Sequence, residues 1–311
     1  MTTIVNLDNF ARAETDRMIA AISGVAGGTN VVFHNRTFAS LDQQTVIREN
    51  RDTLYTVCVI DISEGAALTM PDGGDRYLSA MIINQDHYIN RVIHDAGTHA
   101  LAVEEHGSGH VVAAIRILVD PNDDADLAAV NALQDQITVE AAAARPFELP
   151  DYDEASFTTT RNALLELSKG MRGYAGCFGR RSEVDPVRHL VGTASGWGGL
   201  PETEAYYVNV QPDLPVGEYS LTVGDVPVDA FWSVSLYNGD GFFEPNDQNR
   251  NSVNSVTAVR NEDGTTTVNF GGCRDGRVNC LPIMEGWNYL VRLYRPHTEV
   301  LDGTWTFPSI D

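Results

Sequence analysis

The chain has 311 residues, 43 acidic against 21 basic side chains, a formal net charge of −22 and a pI near 4.5. Nucleic acid and anionic membrane surfaces are met by clustered Lys and Arg; with Lys169 the only lysine no such block exists, so neither is an expected partner. A chain that is 43% hydrophobic and 21% charged folds as a globular protein, as one large domain or two to three smaller ones.

The start, Met1 to Asp8, has no basic n-region and no apolar run, and no later stretch approaches the roughly 20 apolar residues of a membrane span. The expectation is a cytoplasmic protein. The first element is a helix from about Asp8 to Ile22, on which Leu7, Phe10, Met18 and Ile22 approximate a stripe of helical period. Strand-like segments follow: Thr45 to Arg48, Thr53 to Asp61, Ala66 to Met70, Arg76 to Gln85, His99 to Glu105 and His110 to Val119, separated by turn chemistry such as Pro71-Asp72-Gly73-Gly74. An alanine-rich helix is expected over Asp126 to Ala144, a second over Glu154 to Met171, and a short one over Pro186 to Val191. The strand pattern returns in Ala205 to Val210, Glu218 to Val223, Ala230 to Tyr237, Ser255 to Arg260, Thr265 to Phe270, Tyr289 to Tyr294 and Thr304 to Phe307. Asp263-Gly264 reads as the type I′ turn of a hairpin. This pattern predicts a mainly β protein: a helix plus β-sandwich over 1–120, a helical bridge over 121–195, and a β-domain, most simply a jelly roll, over 196–311.

No Gly-x-Ser-x-Gly elbow, His-Glu-x-x-His, Walker loop, Gly-x-Gly-x-x-Gly or Cys-x-x-Cys occurs, so no cofactor is assigned. Five of the eight histidines, His87, His94, His99, His106 and His110, lie within 24 residues among Asp86, Asp95, Glu104 and Glu105. Imidazole with carboxylate suits zinc, iron or manganese, although no His-x-His spacing is present and solvated or hydrogen-bonded histidines are the simpler expectation. A three-residue loop at Gly107 to Gly109 would set His106 and His110 across a hairpin, roughly 5 Å apart at Cβ.

His34-Asn35-Arg36 and Arg48-Glu49-Asn50-Arg51-Asp52-Thr53-Leu54-Tyr55 form a second constellation. Polar residues running into an apolar strand must pair with one another or with a ligand. Arg36 and Arg51 are expected to anchor an anion or carbonyl group, Asp52 to orient Arg51 or His34, Tyr55 to donate a hydrogen bond, and His34 or His87 to move protons. A structural Arg–Asp network is the competing reading. Trp232 and Asn238 are candidate pocket residues of the C-terminal module, with Phe231 and Trp232 on opposite faces of one strand. Cys273 and Cys280 flank a loop that permits a disulfide, but free thiols are expected in a cytoplasmic protein.

Asn50 to Tyr55 with Pro71-Asp72-Gly73-Gly74-Asp75-Arg76-Tyr77 resembles the domain of unknown function DUF1254, and Val226 to Val234, Asn261-Glu262-Asp263-Gly264 and Arg292-Leu293-Tyr294-Arg295-Pro296 resemble DUF1214, its partner in a bacterial two-domain family. The resemblance covers nearly the whole chain. It implies an immunoglobulin-like β domain, a helical segment and a C-terminal jelly roll, and it supplies no catalytic residues. The leading functional expectation is a small-molecule enzyme doing hydrolase- or lyase-type acid–base chemistry on an anionic or carbonyl-bearing ligand. The alternatives are a non-catalytic small-molecule-binding or assembly protein and a His-cluster metalloenzyme; a jelly roll with exposed edges also suits a homodimer.

Overall fold

The structure, a computed structural model, describes residues 2–44, 47–171 and 173–310. The chain folds into two units. The first comprises Met1–Arg36, Leu54–Leu118 and Ala128–Pro201, and the second Thr37–Thr53, Val119–Leu127 and Glu202–Asp311. The helix-bearing stretch Ala128–Pro201 belongs to the first unit, and residues 37–53 to the second.

Unit 1 contains α1 (Phe10–Ala26), β1 (Phe33–His34), β2 (Thr53–Asp61, entered from the other unit at Thr53), β3 (Ala66–Met70), β4 (Leu78–Asn84), β5 (Ile89–Ile93), β6 (Gly97–Leu101), α2 (Val103–His106) and β7 (His110–Leu118). After these come α3 (Asp124–Gln134), which holds the boundary between the units, β8 (Thr138–Ala141), α4 (Glu154–Ser168) and α5 (Pro186–Gly196). One sheet has the order β1-β2-β7-β4-β5 and a second the order β6-β3-β8. All seven residues of β4 are buried, which is why Leu78 to Asn84 reads as a nearly continuous apolar run. Helices α1, α4 and α5 close around Phe10, Ala13, Phe157, Leu164, Val191 and Ala194. A Cβ at Gly192 would lie 2.7 Å from that of Cys177, so only glycine lets α5 approach so closely there.

Unit 2 contains β9 (Ala205–Val210), β10 (Tyr219–Val223), β11 (Trp232–Tyr237), β12 (Ser252–Asn254), β13 (Thr266–Phe270), β14 (Cys280–Leu281), β15 (Asn288–Tyr294) and α6 (Thr298–Leu301). An antiparallel sheet of order β12-β11-β15-β9 and a sheet of order β10-β13-β14 share one core. Strand alternation sorts the chemistry. Trp232, Val234 and Leu236 enter that core with Tyr289, Val291 and Leu293, while Ser233, Ser235, Tyr237, Leu290, Arg292 and Tyr294 take the opposite face.

The chain is thus mixed α/β with several antiparallel sheets, and its helices carry more of the fold than a mainly β reading allows. The alanine-rich helix stops at Gln134, because Thr138 to Ala141 pairs with β3, setting Val139 opposite Leu68. Ser255 to Arg260 and Thr304 to Phe307 are not strands, and Ile89 to Ile93, unexpected, is one. Gly264 takes the left-handed conformation and its N–H reaches the Asn261 carbonyl, but only Thr266–Phe270 of the expected hairpin is a strand. Of the expected strand Thr45 to Arg48, Thr45 and Val46 lie outside the described residues, and Ile47 and Arg48 form a turn. Cys273 and Cys280 form a disulfide, with Cα atoms 5.5 Å apart, where free thiols were expected. No helix among the described residues is long and apolar enough to cross a membrane.

Candidate functional site

The polar face of β11 and β15 in unit 2 supports the segment Arg48 to Asp52. Arg292, buried at 2% exposure, donates to the Ser235 hydroxyl (2.8 Å), the Tyr237 hydroxyl (2.9 Å) and the main-chain carbonyls of Arg48 (2.8 Å) and Glu49 (3.2 Å). Burial works against its charge, while Tyr237, Tyr294 and Asp52 around it hold it ionised. Asp52, at 1% exposure, accepts hydrogen bonds from Ser233 Oγ (2.6 Å) and Ser252 Oγ (3.0 Å). Its N–H donates to Asn50 Oδ1 (2.8 Å), and its carbonyl accepts from the Val119 N–H (3.0 Å). These anchors come from unit 2, and together they fix the segment's main chain and the Asp52 carboxylate.

Beside this segment lies a cavity of about 180 Å³, bounded by Arg51 and Asp52, by Asp120 to Asn122, by Arg250, by Ser252 to Asn254, and by Val259 with Val278 and Asn279. Three donors in its wall are left over. Arg51 gives one hydrogen bond, to the Ala39 carbonyl (3.1 Å), and lies 4.9 Å from the centre of the Phe38 ring; among the described residues no carboxylate pairs with it. Burial lowers its pKa and nearby Glu49 raises it, yet a guanidinium stays charged at any physiological pH. The Arg250 side chain has no hydrogen-bond or ion-pair partner among the described residues. Asn254, 4% exposed, spends its Oδ1 on the N–H groups of Val256 (3.0 Å) and Thr257 (2.9 Å) and on the Thr257 hydroxyl (3.2 Å). That fixes the amide orientation and leaves Nδ2 as a donor without a partner among the described residues.

A wider opening of about 460 Å³ lies along α1 and α4 in unit 1, but its charges are already matched across the groove: Arg161 with Glu14 (3.2 Å) and Arg17 with Glu154 (3.3 Å). Among the described residues that line it, no charged side chain is left without an opposite partner.

Of the residues singled out from sequence, Arg51 and Asp52 share the unit 2 cavity, and His34, Arg36, Tyr55, His87, Trp232 and Asn238 do not line it. The Thr56 hydroxyl, which accepts from Gln134 Nε2 (3.2 Å), shares a hydrogen bond with His34 Nδ1 (2.9 Å); burial, with some help from Arg36, holds the imidazole below its ordinary pKa. Arg36 is committed to the Asn131 carbonyl (2.8 Å) and Asp135 (2.5 Å). The Arg116 guanidinium lies 5.2 Å from the centre of the Tyr55 ring. Trp232 is a core residue packed edge-on against Phe307. Asn238 holds a turn, accepting from the N–H groups of Asp240 (3.1 Å) and Phe242 (3.0 Å) and donating to Glu244 (3.1 Å).

His87 is fully buried. The Thr193 hydroxyl donates to the His189 carbonyl, so it accepts from His87 Nδ1–H (2.8 Å), while Nε2 accepts the Gly198 N–H (2.9 Å). Burial, with nearby His189, pushes its pKa down to about 3. Both nitrogens are engaged, which makes it a structural neutral imidazole and not a proton carrier.

The histidine cluster does not converge: among the described residues no three His, Cys, Asp or Glu side chains are placed to hold a metal ion. His94 contacts the Leu78 carbonyl, His99 the Asp95 carbonyl and His110 the Arg145 carbonyl. His106 and His110 do not form the expected hairpin pair, because Val103–His106 is a helical turn and β7 pairs with β4.

Sequence reading missed Arg250, Ser252, Asn254 and the Arg292 support. The usable signals were an arginine inside the apolar run Tyr289 to Tyr294 and the alternating Ser233 and Ser235, both marks of a strand face that must meet polar chain.

These features describe a mixed α/β protein with an arginine-bearing polar cavity in its second unit. Residues 29–98 match the family model described as Protein of unknown function (DUF1254), and residues 211–298 the one described as Protein of unknown function (DUF1214), so the chain carries these two domains in that order. Its fold is similar to that of the VPA0106 protein from Vibrio parahaemolyticus, at 19% identity and a TM-score of 0.74, covering 98% of this chain and 99% of that one. It is also similar to an uncharacterised protein from Burkholderia cenocepacia, at 15% identity and a TM-score of 0.54, covering 92% of this chain and 84% of that one. At these identities the likeness is one of fold. No curated protein matches the sequence.

Proposed function

We propose that the protein is a binding protein for a small anionic molecule, held in the unit 2 cavity by Arg51, Arg250 and the Asn254 amide. The observation that carries this reading is the surplus of donors: two guanidinium groups without carboxylate partners among the described residues and the oriented amide N–H pair of the buried Asn254 line the same small space. A cavity polar group without a protein partner is stabilised by whatever ligand supplies the missing acceptor. Binding is favoured over acid–base catalysis because no histidine lines the cavity and Asp52 already accepts from two serine hydroxyls.

The test is titration calorimetry of the protein with sodium acetate and sodium phosphate. Charge-assisted hydrogen bonds contribute about 1.5–3 kcal/mol, so Arg51→Gln or Arg250→Gln should weaken anion binding by roughly tenfold or more. Equal affinity in the parent and in the double variant, with both folded by circular dichroism, would overturn the proposal.

A further inference from the structure

We infer that the ligand is a short aliphatic monocarboxylate, an assignment that rests on the anion-binding reading of the same cavity. Two observations beyond the free donors point there. First, the cavity wall is balanced in charge, Arg51 and Arg250 against Asp52 and Asp120. A dianion such as phosphate would gain from the arginines and lose to the aspartates, whereas a single carboxylate needs only one cationic fork.

Second, opposite chemistry faces the same space. Val259 and Val278 both line the cavity while remaining 52% and 50% exposed. They are held together by one side chain: Asn279 accepts the Val259 N–H at Oδ1 (2.9 Å) and donates through Nδ2 to the carbonyls of Val259 (2.8 Å) and Thr267 (3.0 Å). Asn279 takes a left-handed backbone (φ 50°), and its neighbour Cys280 is tied to Cys273. The valines are therefore a fixed apolar wall, left open in a cavity whose other walls offer donors. A ligand with a carboxylate at one end and a few methylene or methyl groups at the other satisfies both, and neither a bare anion nor a hydrocarbon does.

The experiment compares acetate, n-valerate and phosphate by calorimetry on the full chain. Each methylene removed from water contributes about 0.8 kcal/mol, so partial burial of three of them should make valerate bind about tenfold more tightly than acetate. Phosphate should bind more weakly than valerate, and Val259→Ser with Val278→Ser should narrow the valerate-to-acetate ratio. Equal affinities for valerate and acetate, with both lost in Arg51→Gln, would overturn this inference and leave the anion-binding reading standing. Phosphate binding as tightly as valerate would do the same. Failure of all three anions to bind would overturn the anion-binding reading itself. The comparison among ligands on the unaltered protein decides the matter even if the double serine variant does not fold.

Discussion

At the scale of single residues, His87 shows how a side chain that looks reactive in sequence becomes inert in the fold. Its pKa near 3 lies below the 6.5 of an unperturbed histidine. Between those values the unfolded chain binds a proton that the folded chain refuses. His87 therefore costs no stability above pH 6.5, and stability falls as pH drops from there toward 3, at about 1.4 kcal/mol per pH unit. Urea unfolding of the parent and of His87→Gln at pH 7, 6, 5 and 4 should show a shallower loss in the variant by about that slope. Parallel curves would mean that His87 is solvated. Asp52 is the contrasting case, since sequence placed it at the edge of a core beside Arg51 and the structure keeps it there, held by Ser233 and Ser252.

At the scale of elements, the disulfide between Cys273 and Cys280 staples the loop that follows β13 and ends in β14. Closing a ring of this size removes denatured-state freedom worth about 2–3 kcal/mol in the chain-entropy model. Cys273→Ser, or the parent in a dithiol reductant, should unfold at a correspondingly lower denaturant concentration. An unchanged midpoint would show that Asn269, Asn279 and their main-chain partners hold the loop without it. The elements misread from sequence were decided by partners that their own local pattern does not show. Alanine-rich residues past Gln134 have helical propensity, but pairing with β3 overrides it. Ser255 to Arg260 alternates like a strand, yet its N–H groups at Val256 and Thr257 turn back to Asn254.

At the scale of the whole molecule, the charge of −22 on 311 residues is a standing self-repulsion. Salt screens it, with a Debye length that falls from about 10 Å at 0.1 M to about 3 Å at 1 M. The melting temperature should therefore rise by several degrees between low salt and about 1 M sodium chloride; a fall would indicate that the surface ion pairs contribute more than the repulsion takes away.

The sequence by itself determined most strands and helices, the lack of a clustered basic block, the two-domain resemblance and the polar run from Arg48 to Asp52 ahead of a strand. These depend on local periodicity, on composition and on a short contiguous motif. Only the tertiary structure decided that His34, Arg36, Tyr55 and His87 are spent on internal partners, that Trp232 is core, that Cys273 meets Cys280, and that Arg250, Asn254, Val259 and Val278 share a cavity with Arg51. The residues of that cavity are separated by up to 228 positions along the chain, from Arg51 to Asn279. Whether a polar atom is satisfied or left over depends on which distant main-chain groups reach it, and no local pattern carries that information.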